Sequence, residues 1–278
     1  MEKKSNKNKD EKIQTPLIDE HPKEELDEES RIRELSILAD LLEKRKKYYW
    51  IVDTKLWISK QEELVGYFKD IENRYKWYLY YWWNGSWKTF IGAYICVCLA
   101  LWREAPKYKL PYLWEKKNIW IVTKSWSNII STIDPYILWD FSKTRIPPEM
   151  IEGNPHRDNK ILKGVRLKNW CSIKVMTYDQ EGEGLQWGNP DFVWLDEEPR
   201  KHDVWMELFA RTRWKGSEML VTMTPLAWKT PVYDFFFESE NPELDTSKKV
   251  IKVSAKENPY TDHRLFAWYS NEEYLRRV

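Results

Sequence analysis

Between one apolar run, Tyr78 to Tyr81, and another that begins at Phe90 stands Tyr81-Trp82-Trp83-Asn84-Gly85-Ser86-Trp87-Lys88-Thr89. This junction constrains the chain more than any other segment. With Trp82 and Trp87 read as glycine it becomes G-x-x-x-x-G-K-T, a loop that joins a strand to a helix and wraps phosphate groups with backbone N–H donors. Such a loop needs dihedrals and a close backbone approach that only a residue without a Cβ adopts easily. An indole at Trp87, next to Lys88, takes up the space a phosphate needs. Either the site is dead, or the tryptophans stand where the polypeptide has glycine.

The tryptophan count favours the second alternative. The chain has 18 Trp but only 9 Gly, against a usual glycine share of roughly 7%. Pooled, the two make an ordinary glycine content with a few tryptophans. Some bacterial lineages and their viruses read the codon UGA as glycine, and translation under a code that reads UGA as tryptophan gives this pattern. The hypothesis predicts UGA codons at Trp82, Trp83, Trp87 and Trp228 but UGG at Trp194. Finding UGG at Trp82 and Trp87 sinks it.

At 278 residues, 42% of them hydrophobic, the chain has enough material for one large domain or two small ones with a proper core. A formal net charge of +1 gives no global basic field, so contact with a nucleic acid must come from a local patch. Cys96, Cys98 and Cys171 are odd in number and lack metal-ligand spacing, which fits a reducing compartment. His21, His156, His202 and His263 are scattered, so no zinc site is expected. The most apolar run, Phe90 to Trp102, is too short to span a bilayer and reads as a buried helix. The N-terminus lacks a signal-peptide apolar core, so neither secretion nor a membrane partner is expected.

Residues 1–28 are dense in Lys, Glu, Asp and Asn and read as a disordered charged tail. Residues 29–60 read as an N-terminal helical segment, with Ile32, Leu35, Ile37, Leu38, Leu41 and Leu42 at helical spacing for docking. Strands are expected at Trp77–Tyr81, Asn118–Thr123, Ser172–Thr177, Phe192–Leu195, Met219–Thr224 and Val250–Val253. Helices are expected at Lys88–Leu101, Ser127–Trp139, Val204–Arg211 and Val232–Glu238. This alternation predicts an α/β fold, a mainly parallel sheet with helices on both faces, whose ligand sits at the carboxyl ends of the strands. Residues 140–170, polar and proline-containing, read as an insertion.

In a P-loop context Lys88 reaches the β- and γ-phosphates and the Thr89 hydroxyl ligates Mg2+. Trp82, Trp83, Asn84, Gly85, Ser86 and Trp87 form the rest of the ATP-binding loop. The bland alternative is an aromatic core segment that ends in a surface Lys-Thr. Phe192-Val193-Trp194-Leu195-Asp196-Glu197 puts one carboxylate, Asp196, at the tip of a buried strand, where it can hold Mg2+. Glu197 is placed beside it to orient the attacking water. Alone, such an exit into acids is a weak signal; about 110 residues after a P-loop it is specific.

Thr222 and Thr224 end another apolar strand, where their hydroxyls either sense the γ-phosphate or bond to backbone. Arg211 and Arg213 follow the Asp196-Glu197 motif by about a helix and face phosphate, DNA or solvent. Arg145, Arg157 and Arg166 are alternative arginine fingers. Gln61 stands upstream of the loop, where nucleotide-driven motors often place a glutamine that bonds adenine, although a lone Gln is usually surface.

Taken together, the restored loop, then LQWGNPDFVWLDEEP, then RTRWKGSEMLVTMTPLAWKTPVYD, resemble the large terminase subunit of tailed bacteriophages in order and spacing. That family typically has glycine where Trp228 stands. The resemblance runs from about Lys60 to Pro259 and implies a P-loop NTPase (RecA-like/ASCE) domain over 61–260. It carries over Trp82 to Thr89 as Walker A, Asp196 as Walker B, Glu197 as catalytic glutamate and Thr222 to Thr224 as the coupling motif. Residues 261–278 would begin a linker toward a nuclease domain that the chain does not contain, so DNA cleavage is not expected of it.

The resemblance also implies ATP and Mg2+ as cofactors and double-stranded DNA, a portal protein, a small terminase subunit and a homo-oligomeric ring as partners. It implies the cytoplasm of an infected bacterial host as the location. The alternatives are another DNA-dependent P-loop ATPase, such as a helicase, or a dead pseudo-ATPase scaffold if the tryptophans are genuine.

Overall fold

The computed structural model describes residues 28–49, 58–81, 87–108, 110–138, 146–179, 188–214, 216–224, 230–238 and 246–253. The chain divides into two units, Met1–Leu42 and Glu43–Val278. Helix α1 (Glu28–Tyr49) supplies the described residues of the first. Its Ile32, Leu35, Ile37 and Leu38 are all more than half exposed.

The second unit is built on eight strands. These are β1 (Trp77–Tyr81), β2 (Asn118–Thr123), β3 (His156–Asp158), β4 (Ile161–Arg166), β5 (Ser172–Thr177), β6 (Phe192–Asp196), β7 (Glu218–Met223) and β8 (Lys248–Lys252). They form one sheet in the order β3-β4-β5-β2-β6-β7-β1-β8. From β5 to β8 every pairing is parallel, whereas β3 and β4 add antiparallel at one edge.

Strand alternation feeds two cores. Tyr78 and Tyr80 of β1 and Phe192 and Trp194 of β6 enter one cluster, and Trp77, Leu79, Val193 and Leu195 enter the other. Near-continuous apolar strands of this kind suit a parallel sheet buried on both faces. The first cluster is covered by α2 (Ser59–Lys69) and α3 (Lys88–Leu101). A continuous helix, α4, joins it, running through Trp126–Asn128, a π-helical Ile129–Ile133 and Asp134–Ile137. Helix α3 is apolar on all sides, and every residue from Phe90 to Leu101 is buried, as the sequence suggests for a core helix. The second cluster is covered by α5 (His202–Arg211) and by α6, made of Pro231–Tyr233 and the π-helical Asp234–Glu238.

The expected strands and helices are present with ends shifted by a few residues. The reading of residues 140–170 as a polar insertion is corrected by the structure. It carries β3 and β4, a hairpin whose turn places Asn159 and Lys160 at φ of 48° and 69°. Two successive positive dihedrals are the requirement of a two-residue type I′ turn. The hairpin escapes a sequence reading because β3 is exposed throughout and only three residues long. Opposite the carboxyl ends of the parallel strands, Glu218 is buried between Arg74, at 3.1 Å, and Lys116, at 3.5 Å.

Candidate nucleotide site

The carboxyl ends of β2, β6 and β7 lie side by side, with Thr123 paired to Asp196 and Asp196 to Thr222. Register alone therefore brings three oxygen-bearing side chains together. The Thr89 hydroxyl, from the first turn of α3, donates to Asp196 Oδ1 at 2.8 Å. Thr123 Oγ1 donates to the other carboxylate oxygen at 3.3 Å. Trp194 Nε1 donates to Thr222 Oγ1 at 2.9 Å, and Thr222 Oγ1 lies 3.3 Å from the carbonyl of Leu195 and 3.5 Å from Asp196 Oδ1. Burial pushes the Asp196 carboxyl up to about 6, opposed by the Thr89 hydrogen bond. Lys88, also buried, is lowered by desolvation, with the charges of Glu197 and Asp196 acting the other way.

Glu197 is held at four points. Its N–H donates to the Thr222 carbonyl at 2.7 Å, and its own carbonyl accepts from Tyr178 Oη at 2.5 Å. Its carboxylate accepts from the Thr224 N–H at 2.9 Å and from the Thr224 hydroxyl at 3.1 Å. The backbone sits at φ 68°, a region L-residues enter at a cost. Strain offset by four hydrogen bonds marks a side chain whose position matters.

Thr123 and Tyr178 were missed by the sequence reading. A hydroxyl ending an apolar strand is the signal for Thr123, the same signal that selected Thr222. For Tyr178 no local signal exists, since its partner is the backbone of a distant strand.

The remaining candidates have contacts of their own. Gln61 is buried, its Oε1 accepting the Ile58 N–H at 3.4 Å in a capping arrangement at the start of α2. Its Nε2 has no partner among the described residues. Arg211 bonds to Glu207 one turn back on its own helix, through Nε at 2.9 Å. Arg157 pairs with Asp134 at 2.9 Å, and Arg166 lies 4.0 Å from Glu152. Trp82, Trp83, Asn84, Gly85, Ser86, Arg145, Trp228 and the segment Glu257-Asn258-Pro259-Tyr260 lie outside the described residues.

The tryptophans themselves are informative. Six non-glycine residues among those described have positive φ, and three are Trp87, Trp102 and Trp170. Trp87 is the N-cap of α3, at φ 55° and ψ 34°, and Trp102 is its C-cap, at φ 30°. Trp170, at φ 69°, closes the turn between β4 and β5, where its N–H donates to the Leu167 carbonyl at 3.0 Å. It follows Asn169 and is 81% exposed. A loop-to-helix junction, a helix C-terminus and an Asn-x hairpin are three settings that select glycine, and in none of them does an indole suit the backbone. Trp194 differs. It is fully buried and hydrogen-bonded, and a Cβ on Gly92 would come within 2.2 Å of its ring.

No protein-family model matches the chain, and no curated protein matches it. Among solved structures it is similar to the large terminase from a thermophilic bacteriophage, at 12% identity and a TM-score of 0.51, over 79% of this chain and 51% of that one. The same terminase in complex with ADP is matched at 12% identity and a TM-score of 0.46, over 79% and 49% of the two chains. The bacteriophage HK97 large terminase is matched at 13% identity and a TM-score of 0.49, over 72% and 40%. The chain thus spans about half the length of the thermophilic phage's terminase. At such identity the likeness is one of fold. The fold is the RecA-like/ASCE P-loop NTPase one, in which β7 separates the loop-bearing β1 from β6 with its Asp196. Among the described residues, no helix is long and apolar enough to cross a membrane.

Proposed function

We propose that this chain is the ATP-hydrolysing motor of a viral DNA-packaging terminase, with glycine at positions 82, 83 and 87 of the working polypeptide. The observation that carries the reading is the Thr89–Asp196 hydrogen bond, with Lys88 buried beside it and Glu197 next in sequence. The donor set fits the cofactor. One hydroxyl and one carboxylate are the hard oxygen ligands that Mg2+ accepts while keeping most of its water. The left-handed backbone at Trp87 is that of a glycine cradle for phosphate, at the N-terminus of a fourteen-residue helix whose dipole favours anions.

Bound Mg2+-ATP supplies the transferable phosphoryl group and the metal charge that offsets its oxygens. Lys88 presents its ammonium to the phosphates from the first turn of α3. Thr89 and Asp196 hold the metal, and Thr123 holds the second oxygen of Asp196. Glu197 orients the attacking water and takes up its proton, and its carboxylate is aimed by Thr224. Thr222, bonded to Trp194 and close to Asp196, stands where β7 can register the nucleotide state and, with Thr224, pass it on. Arg211 is the proposed transition-state cation. That role would require it to give up its i,i+4 pair with Glu207, at a cost of only about 0.3–0.5 kcal/mol. Double-stranded DNA is the transported substrate, and a homo-oligomeric ring, a portal protein and a small terminase subunit are the proposed assembly, in the cytoplasm of an infected bacterial host.

The test compares ATP turnover by the tryptophan-bearing chain and by a Trp82→Gly, Trp83→Gly, Trp87→Gly version. The restored protein is expected to bind and hydrolyse ATP in the presence of Mg2+, and the tryptophan-bearing one not to. A restored protein that neither binds nor hydrolyses ATP overturns the motor reading and leaves the scaffold alternative.

A further inference from the structure

The antiparallel extension of the sheet carries a concentration of positive charge that the proposed ATP chemistry does not use. Residues 156–174 hold six Lys and Arg against one acid, Asp158, in a chain whose formal net charge is only +1. Strands β4 and β5 there floor an open groove of about 860 Å³, whose lining includes His156, Lys163, Arg166, Ser172 and Lys174, with Glu152 the acid at its rim.

The floor is bare at Gly164, which faces Lys174 across the strand pair. A Cβ there would come within 2.6 Å of the Ile173 carbonyl, so the close approach of β4 to β5 admits only glycine at this position. Two of the cations are tethered through their stems. On the Arg166 face Lys174 Nζ lies 5.2 Å from the Trp120 ring, whereas Lys163 Nζ lies 3.4 Å over the Trp126 ring, which packs on the cluster of the opposite face, and 4.0 Å from Asp158. The Arg166 side chain is 73% exposed, its Nε 4.0 Å from Glu152, a distance at which an exposed ion pair holds little. Lys160 and Lys168, in the turns at the two ends of β4, are exposed as well.

We infer that this groove is the surface on which the protein holds the phosphate backbone of double-stranded DNA. The inference rests on the packaging reading for the identity of the polyanion. The geometry is that of a non-specific contact. Cations are spread along a two-stranded ribbon, and no amide or aromatic cluster on the floor is arranged to read base edges. Binding of this kind is sequence-independent and steeply salt-dependent, as a motor that moves along any sequence requires. The hairpin joins β5, beside β2 and its Thr123, so the groove belongs to the same sheet as the nucleotide site.

The test measures binding of the full chain to a fluorescent mixed-sequence DNA duplex across a salt series. An Arg166→Gln, Lys174→Gln double variant is compared with a Lys69→Gln, Lys252→Gln control, whose positions belong to α2 and to β8 at the opposite edge of the sheet. Thermal melts establish that each is folded. The groove variant is expected to lose about tenfold in affinity, equally for all sequences, with a salt slope smaller by roughly one per phosphate contact removed. The control should bind like the parent. Equal losses in the two variants, an unchanged salt slope in the groove variant, or a parent that binds no duplex overturns the inference. So does displacement of the duplex by polyglutamate at equal charge, which assigns the groove to an acidic protein. ATP hydrolysis without DNA by the glycine-restored chain is measured separately. Its absence removes the motor reading while the binding result still decides the groove.

Discussion

The Thr89 hydroxyl donates a 2.8 Å hydrogen bond to Asp196 Oδ1 across 107 residues of sequence. It ties the start of α3 to the end of β6. In the glycine-restored protein, Thr89→Val removes the proposed metal ligand and leaves Asp196 with Thr123 as its nearest hydroxyl partner. Mg2+-dependent turnover should fall on the order of 100-fold, the usual effect of deleting one electrostatic stabiliser, while Thr89→Ser should keep most of it. Steady-state kinetics and the Mg2+ dependence of ADP affinity check this. Equal activity in Thr89→Val refutes the assignment.

Glu197 and Thr224 supply a second prediction. Glu197→Gln should leave ATP binding intact and lower kcat by about two to four orders of magnitude, as expected for loss of a general base. Thr224→Val deletes the hydroxyl bond to Glu197 but keeps the backbone one. Its cost should be near 1 kcal/mol, about a fivefold fall in kcat. A Thr224→Val protein as inactive as Glu197→Gln would mean that Thr224 does more than aim the carboxylate.

The tryptophans divide into two classes that stability measurements can tell apart. Trp170 and Trp102 occupy positive-φ positions, where a non-glycine residue costs roughly 1–2 kcal/mol. Trp170→Gly should therefore stabilise by about 1 kcal/mol and raise Tm by ~2–4 °C. Trp102→Gly should act in the same direction, less the 4.4 Å stacking of Arg103 on the indole. Trp194→Gly should destabilise by about 3–5 kcal/mol, because it empties a filled core site and removes the indole donor to Thr222. If Trp170→Gly destabilises, its backbone is not a glycine position. Codons checked at 102 and 170 extend the recoding test beyond the loop.

Gly92 should reverse a familiar rule. In a helix interior Gly→Ala ordinarily stabilises by about 1 kcal/mol. Here the added methyl would lie 2.2 Å from the Trp194 ring, so Gly92→Ala should destabilise by roughly 1–3 kcal/mol. The displaced indole should also weaken the Thr222 contact, which a denaturant melt and a turnover assay on one sample can register together. A stabilised Gly92→Ala protein would show that the ring has room to move.

Much of this protein is legible along the chain because the relevant forces are local. A run of apolar residues ending in Asp196-Glu197 must end with its acids at a strand tip, and an apolar run behind Lys88-Thr89 must bury as a helix. The loop is proposed as a phosphate cradle despite its tryptophans because the residues around them keep the spacing of that motif. The sequence alone therefore determined the strand and helix inventory of the parallel sheet and marked Lys88, Thr89, Asp196, Glu197, Thr222 and Thr224 as candidates, of which the structure brings Thr89 and Thr222 to Asp196 and Thr224 to Glu197.

Tertiary structure decided what stands beside what. Only the insertion of β7 between β1 and β6 brings Thr222 to Asp196, and only the β2–β6 register adds Thr123. Tyr178 reaches the Glu197 backbone through a choice among partners that no periodicity encodes. The β3–β4 hairpin shows the same limit, since a three-residue exposed strand has no hydrophobic pattern of its own and forms because β4 and β5 offer it an edge. Pairing between distant strands depends on the free energy of the whole sheet, while helix and strand periodicity depend on neighbours a few residues away.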